Sequence, residues 1–139
     1  MEKLVQMAAS PALGFAVSYI AVLVLLGVVL AWRVIEIRRS QKIGLGDGED
    51  KILRRRIRAH GNFSEYAPLL IGLLLALSMV GAREWAIHLV GLTGLVGRVL
   101  HAIGLSQTGG ASFPRVGGMI LTLSALVFGA ILTLVFAWS

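Results

Sequence analysis

The sequence predicts an all-α membrane protein, a bundle of four transmembrane helices in one domain spanning residues 1–139. Three observations lead there. The chain is 57% hydrophobic and only 14% charged, where a soluble domain of this length carries roughly 25% charged residues. Its uncharged residues fall into four long runs. Most of its basic residues fall into one block between the first two runs.

The runs set the helices. Ala12 to Trp32 holds 21 residues without a charge, which as a helix measures about 31 Å, the thickness of a hydrocarbon core. Pro11 suits the first turn of this helix, and Met1 to Ala9 forms a short, mildly amphipathic lead. Good helix formers from Arg33 to Arg39 carry the helix past Trp32, to about residue 40. Gly44-Leu45-Gly46-Asp47-Gly48 then breaks it. Asp50 is placed to cap a second helix over about 51–80, whose uncharged part, Tyr66 to Ala82, has 17 residues. Gly81-Ala82 makes a tight turn. A third helix covers about 84–106, with 13 uncharged residues from Trp85 before Arg98 interrupts them. Gln107 to Pro114, with Gly109-Gly110, is the second loop, and a fourth helix covers about 115–138. The second and third runs reach a full span only if polar groups at their ends enter the bilayer. Small residues at four-residue spacing, Ser10, Gly14 and Ser18 on the first helix and Ala125, Gly129 and Thr133 on the fourth, suit close packing in lipid.

A formal charge of +6 would suggest nucleic acid in a soluble chain. Here nine of the thirteen Lys and Arg lie between Arg33 and Arg58, which is the positive-inside pattern. It puts that loop in the cytoplasm and both termini outside, and no nucleic-acid partner is expected. The chain has no cysteine, which excludes disulfides and thiolate metal or redox sites. His60, His88 and His101 lack ligand spacing, so no metal site is expected. The Ala/Gly/Leu-rich spans and minimal loops point to a bacterial inner membrane.

Chemistry concentrates on the second helix. With the regular turn of an α-helix, Arg54, Arg55, Asn62 and Glu65 fall on the same face as Arg58, and Tyr66 flanks it. Leu69 continues that face into the apolar run. Arg56, His60 and Phe63 fall on the opposite side. A stripe of arginines, an amide and a carboxylate is intolerable against lipid, so it should face protein or a water-filled pocket. An ion-pair network in which Glu65 neutralises Arg58 or Arg98 is one reading. Against it, Arg54, Arg55, Arg58, Arg98 and Arg115 outnumber the single nearby carboxylate. Surplus guanidinium asks for an anion, either a ligand or phospholipid headgroups.

The run Arg58-Ala59-His60-Gly61-Asn62-Phe63-Ser64-Glu65-Tyr66-Ala67-Pro68 resembles the second-helix signature of the MAPEG family, the membrane-associated proteins in eicosanoid and glutathione metabolism. Its pattern is Arg-Ala-x-x-Asn-x-x-Glu, often with Tyr and then Pro. The resemblance implies a homotrimer with a glutathione site between neighbouring subunits at the cytoplasmic side. Glutathione suits these residues chemically. Arginines can take its carboxylates, Glu65 its ammonium, and Asn62 a backbone amide, donating and accepting together. Tyr66 could add a hydroxyl or a stacking surface.

The likeness continues along the chain. Val34-Ile35-Glu36-Ile37-Arg38-Arg39 is similar to the end of the first helix in the leukotriene-C synthases, which implies that Arg38 contacts glutathione and Arg39 assists near the acceptor. Both also fit a solvated basic run. Gly97-Arg98-Val99-Leu100-His101 is similar to the third helix of the family's prostaglandin E synthases, which places Arg98 and His101 in the site. Seven residues after that arginine the family often has a tyrosine near the thiol, and here Leu105 stands there. Arg115, after Phe113-Pro114, resembles the arginine that stabilises the thiolate, though a basic membrane anchor would look the same.

The expected function is therefore a glutathione S-transferase or peroxidase acting on a lipophilic small molecule from the bilayer. Arg115 and then Arg39 are the catalytic candidates. Arg38, Arg55, Arg58, Asn62, Glu65, Tyr66, Arg98 and His101 are the glutathione-binding candidates. A non-catalytic protein that binds glutathione or anionic membrane lipid in the same polar site is the alternative. A small multidrug exporter fits the size but lacks a carboxylate in the middle of the first helix.

Overall fold

The computed structural model describes residues 10–139, so the Met1–Ala9 lead lies outside the described residues. Four helices fill the rest: α1 Pro11–Gln41, α2 Lys51–Met79, α3 Glu84–Gln107 and α4 Phe113–Ala137. All four are long and apolar enough to cross a membrane. The 31 residues of α1 and 29 of α2 extend about 46 and 43 Å at about 1.5 Å per residue. Both outreach a hydrocarbon core of about 30 Å. Their excess length lies at the end that carries the basic block and both longer loops, the basic end of the bundle.

Local chemistry fixes the helix ends. Ser10 Oγ accepts from the Leu13 amide at 3.2 Å, and Pro11 opens the first turn of α1. Lys42 closes that helix in the left-handed region, with its amide turned back to the Arg38 and Arg39 carbonyls. Asp50 is the N-cap of α2. Its Oδ1 accepts from the Ile52 and Leu53 amides, each at 2.7 Å, while Oδ2 takes Gln41 Nε2 at 2.7 Å. The Gln41 bond and then the backbone amides hold this carboxyl below the usual carboxylate range. Gly81, at φ 75°, makes the α2–α3 turn that a side chain would strain. Helix α4 starts at Phe113, two residues earlier than expected. Pro114 belongs to its first turn, where a missing N–H costs nothing.

Helices α2 and α3 form the centre of the bundle, with α1 on one flank and α4 on the other. Half of the most apolar window of α3 is buried, against 17% for α1 and α4. Ala16, Leu23, Leu70, Leu74, Leu77, Ile87 and Val90 make the core. Val24, Leu25, Val28, Phe128 and Leu134 point outward, as they should toward acyl chains. The α3–α4 contact is the closest: a Cβ on Gly97 would come within 2.8 Å of the Thr122 amide nitrogen, and one on Gly118 within 2.6 Å of the Gly97 carbonyl. Of the two small-residue stripes, Ala125 and Gly129 are buried inside the subunit. Gly14 and Ser18 are exposed.

Candidate functional site

Helix α2 is two-faced. Leu53, Ala59, Phe63, Ala67, Leu70 and Leu74 are buried in the bundle, and Arg56 binds the Arg33 carbonyl and Glu36 on α1 at 2.8 and 2.9 Å. The opposite face holds Arg54, Arg58, Glu65 and Leu69, all exposed. The first face packs against α1 and α3, so the polar stripe lies on the outside of the subunit. The α1–α2 loop reaches its Arg54 end through Asp47, while Glu65 and Leu69 stay exposed. Asn62 and Tyr66 sit at its edge, half-buried and turned toward α3.

Behind that edge runs a polar relay through the bundle. Arg98, only 1% exposed, donates through Nε to Thr122 Oγ1 and through Nη1 to Asn62 Oδ1, each at 2.9 Å. Thr122 donates onward to the Gly118 carbonyl at 2.8 Å. Asn62 Nδ2 reaches Glu65 Oε2 at 3.4 Å. The Arg98 guanidinium also lies 5.1 Å from the centre of the Tyr66 ring, a cation–π distance. Its Nη2 is buried without a partner among the described residues. The relay joins α2, α3 and α4, and Asn62 carries it to the surface.

A second cluster stands at the basic end of α3 and α4. His101, 5% exposed, meets the Arg115 carbonyl through Nδ1 at 2.7 Å. A carbonyl can only accept, so Nδ1 carries the proton and Nε2 carries a lone pair when the ring is neutral. Arg115 Nη1 donates to the Gly109 and Gly110 carbonyls at 3.2 and 3.0 Å, which leaves Nε and Nη2 uncommitted among the described residues. His101 and Arg115 border a cavity of about 330 Å³ whose other walls are Val116, Met119, Ile120 and Leu123. Valine, methionine, isoleucine and leucine give a wall suited to an apolar guest.

A third group surrounds the α1–α2 loop. Arg38, Arg54 and Arg58 line a cavity of about 390 Å³ with Gly46, Asp47 and Ile57. Arg38 Nη1 is buried there without a hydrogen-bond partner among the described residues. Asp47 accepts from Arg54 Nε and from the Glu49 amide, the latter at 3.0 Å. The Arg54 hydrogen bond is the main reason its carboxyl lies below the usual range.

The candidates thus divide among three places. Asn62, Glu65, Tyr66 and Arg98 come together, His101 and Arg115 form a pair, and Arg38 and Arg58 share the loop cavity. Arg55 joins none of these: it donates to the Gln107 carbonyl at 2.7 Å, tying α2 to the end of α3. Arg39 is exposed on the last turn of α1. Among the described residues the ion pairs are Arg54–Asp47 and Arg56–Glu36, and Glu65 is in neither. The alternative pairing of Glu65 with Arg58 or Arg98 is absent among the described residues, and Glu65 is linked to the Asn62 amide instead. Arg98 takes one of the two lone pairs of the Asn62 oxygen and draws that atom toward α3. Leu105, where the family often has tyrosine, is buried at 7% exposure. Of the three histidines, His88 is satisfied by Tyr19 at 3.0 Å.

Two residues of these clusters escape the sequence reading. Thr122 looks like any small residue of an apolar helix, and no spacing rule links it to Arg98. Asp47 is visible only as part of a turn, and its pairing depends on how the loop folds back over α2.

Residues 16–135 match the MAPEG family. The inner membrane protein YecN of Escherichia coli K12 is 39% identical over 71 residues, 51% of this chain and 54% of YecN. YecN of Escherichia coli O6:H1 gives the same figures. The chain thus spans about half the length of the curated relatives it matches. With a match across all four helices, the chain belongs to the MAPEG family.

Proposed function

We propose that this chain is a glutathione-binding membrane enzyme of the transferase or peroxidase type, acting on a lipophilic electrophile. The observation that carries the reading is the exposed polar face of α2. Arg58 and Glu65 stand exposed, with half-buried Asn62 and Tyr66 at their edge, on a subunit whose other surfaces suit lipid, where unpaired charge is costly. A neighbouring subunit in a homotrimer would cover that face and close a site between them. Glutathione offers what the face lacks: carboxylates for the arginines, an ammonium for Glu65 and a carbonyl oxygen for Asn62. Membership of a glutathione-metabolising family supports the same ligand.

The chemistry would be thiol activation. A free thiol has a pKa near 8.5, and lowering it two units needs roughly 2.7 kcal/mol of preferential thiolate stabilisation. A cation in a water-poor site can supply that. Arg115, with Nε and Nη2 uncommitted beside an apolar cavity, suits the role, with Arg39 as the second candidate. The thiolate sulfur would attack the electrophilic carbon, the leaving group would depart with the bonding pair, and the thiol proton would pass to solvent. The arginine block supports a site on the cytoplasmic side, and the relatives' inner-membrane description suits the same membrane here.

One observation favours a non-catalytic binder instead. Leu105 brings no hydroxyl toward the thiol, and Arg115 already spends Nη1 on the α3–α4 loop. The test is calorimetric titration of purified protein with glutathione, followed by turnover of an aryl halide. Binding with turnover supports the enzyme, and binding without turnover supports the binder. Absence of binding overturns glutathione as the ligand and leaves the non-catalytic binder of anionic lipid.

A further inference from the structure

Resting on that reading, we propose that Arg98 is a positioning residue: it holds the oxygen of the Asn62 side-chain amide toward α3, so that the NH₂ group is the part of Asn62 turned toward a ligand. The argument is one of valence. A guanidinium has five N–H groups and no acceptor. The atom of Asn62 that meets Arg98 Nη1 at 2.9 Å must therefore be the oxygen. Flipping the amide would set N–H against N–H inside the bundle, beside an Arg98 whose Nη2 already lacks an acceptor among the described residues. Arg98 itself is held from the α4 side by Thr122 Oγ1 on Nε and lies against the Tyr66 ring on the Asn62 side, which opposes its turning away to follow a flipped amide.

The NH₂ group of Asn62 consequently points outward. One of its hydrogens faces Glu65 Oε2 at 3.4 Å, and the other meets no acceptor among the described residues. This specifies the ligand more closely than a count of charges does. Opposite Asn62 the ligand must present an acceptor, a carbonyl or carboxylate oxygen. Opposite Glu65, three residues along the same helix, it must present a donor, such as an ammonium. A peptide-like zwitterion has both in that order, whereas an anion with acceptors only would meet the Glu65 carboxylate unfavourably. Arg98 achieves this without touching the ligand, since it is 1% exposed.

The test is a double-mutant cycle with a readout that needs no ligand. Asn62→Asp keeps an oxygen toward Arg98 and adds an opposite charge, so the melting temperature should stay level or rise. In an Arg98→Met background the same change leaves a half-buried carboxylate beside Glu65 with no facing cation, and should lower it. Equal shifts in both backgrounds would overturn the proposal. Should Arg98→Met fail to fold, Arg98→Lys replaces it. Lysine also only donates, so Asn62→Asp should again be tolerated, and a lowered melting temperature there would count against the mechanism. Glutathione binding is the second readout. Asn62→Asp should lower affinity about tenfold, because a donor to the ligand's oxygen is lost and a carboxylate that repels it takes its place, although the fold is intact. Unchanged affinity in Asn62→Asp overturns the donor assignment. A coupled cycle in a wild type that binds no glutathione retains the Arg98–Asn62 device and rejects the ligand alone.

Discussion

Glu65 is the one carboxylate of α2, exposed on the subunit and, among the described residues, bonded only to the Asn62 amide. A carboxylate kept beside arginines yet paired with none of them there is poised for a cationic ligand group. Glu65→Gln conserves its shape and removes its charge, so glutathione affinity measured by calorimetry should fall by about 2–5 kcal/mol, the cost of breaking a desolvated charge pair. Unchanged affinity would make Glu65 a structural residue and remove the ammonium from its assigned place. At this scale the sequence is informative only about types. Helical spacing puts Arg58, Asn62 and Glu65 on one stripe; Asn62 and Glu65 are linked there, while Arg58 lines the loop cavity with Arg38. It is silent about Arg98 reaching Asn62 and Thr122, 36 and 24 positions away, because no local rule links residues so far apart. It is silent too about Asp47, whose place depends on a loop.

Between elements, the α3–α4 seam supports the buried end of the relay. Gly118 sits under the His101 backbone and Gly97, so a larger side chain must push the helices apart. Gly118→Leu should lower the melting temperature sharply, with overpacking costs of roughly 1–3 kcal/mol or more. Gly117, one position along, has open space around it, so Gly117→Leu should leave the melting temperature level or raise it slightly through better helix propensity. Equal losses in the two variants would argue against the close seam. Helix number and extent are legible because each rests on local signals: uncharged runs, Pro11, Asp50 and Gly81. The two residues of difference at the start of α4 come from Pro114, which ends one pattern and opens another equally well. The direction of the α2 stripe is not legible. Both faces of that helix carry polar residues, and only packing against α1 and α3 shows that Leu53, Phe63 and Leu70 turn inward.

For the whole molecule, a subunit with its polar face outward makes assembly part of the account. The purified protein should have a mass in mild detergent that corresponds to three chains plus bound detergent, and a monomer that still binds glutathione would remove the intersubunit site. Charge asymmetry predicts that reporter fusions at Asp47 and at the C-terminus lie on opposite sides of the membrane, with the first in the cytoplasm. A cytoplasmic C-terminus would reverse the orientation proposed for the site. Thiol activation is the central claim, and the ultraviolet absorbance of the thiolate tests it most directly when glutathione is added to wild type and to Arg115→Leu at neutral pH. The account predicts a thiolate band in the wild type and its loss in the variant, with glutathione still bound by the other polar groups. A band of equal size in both proteins, or no band in the wild type despite binding, would contradict it.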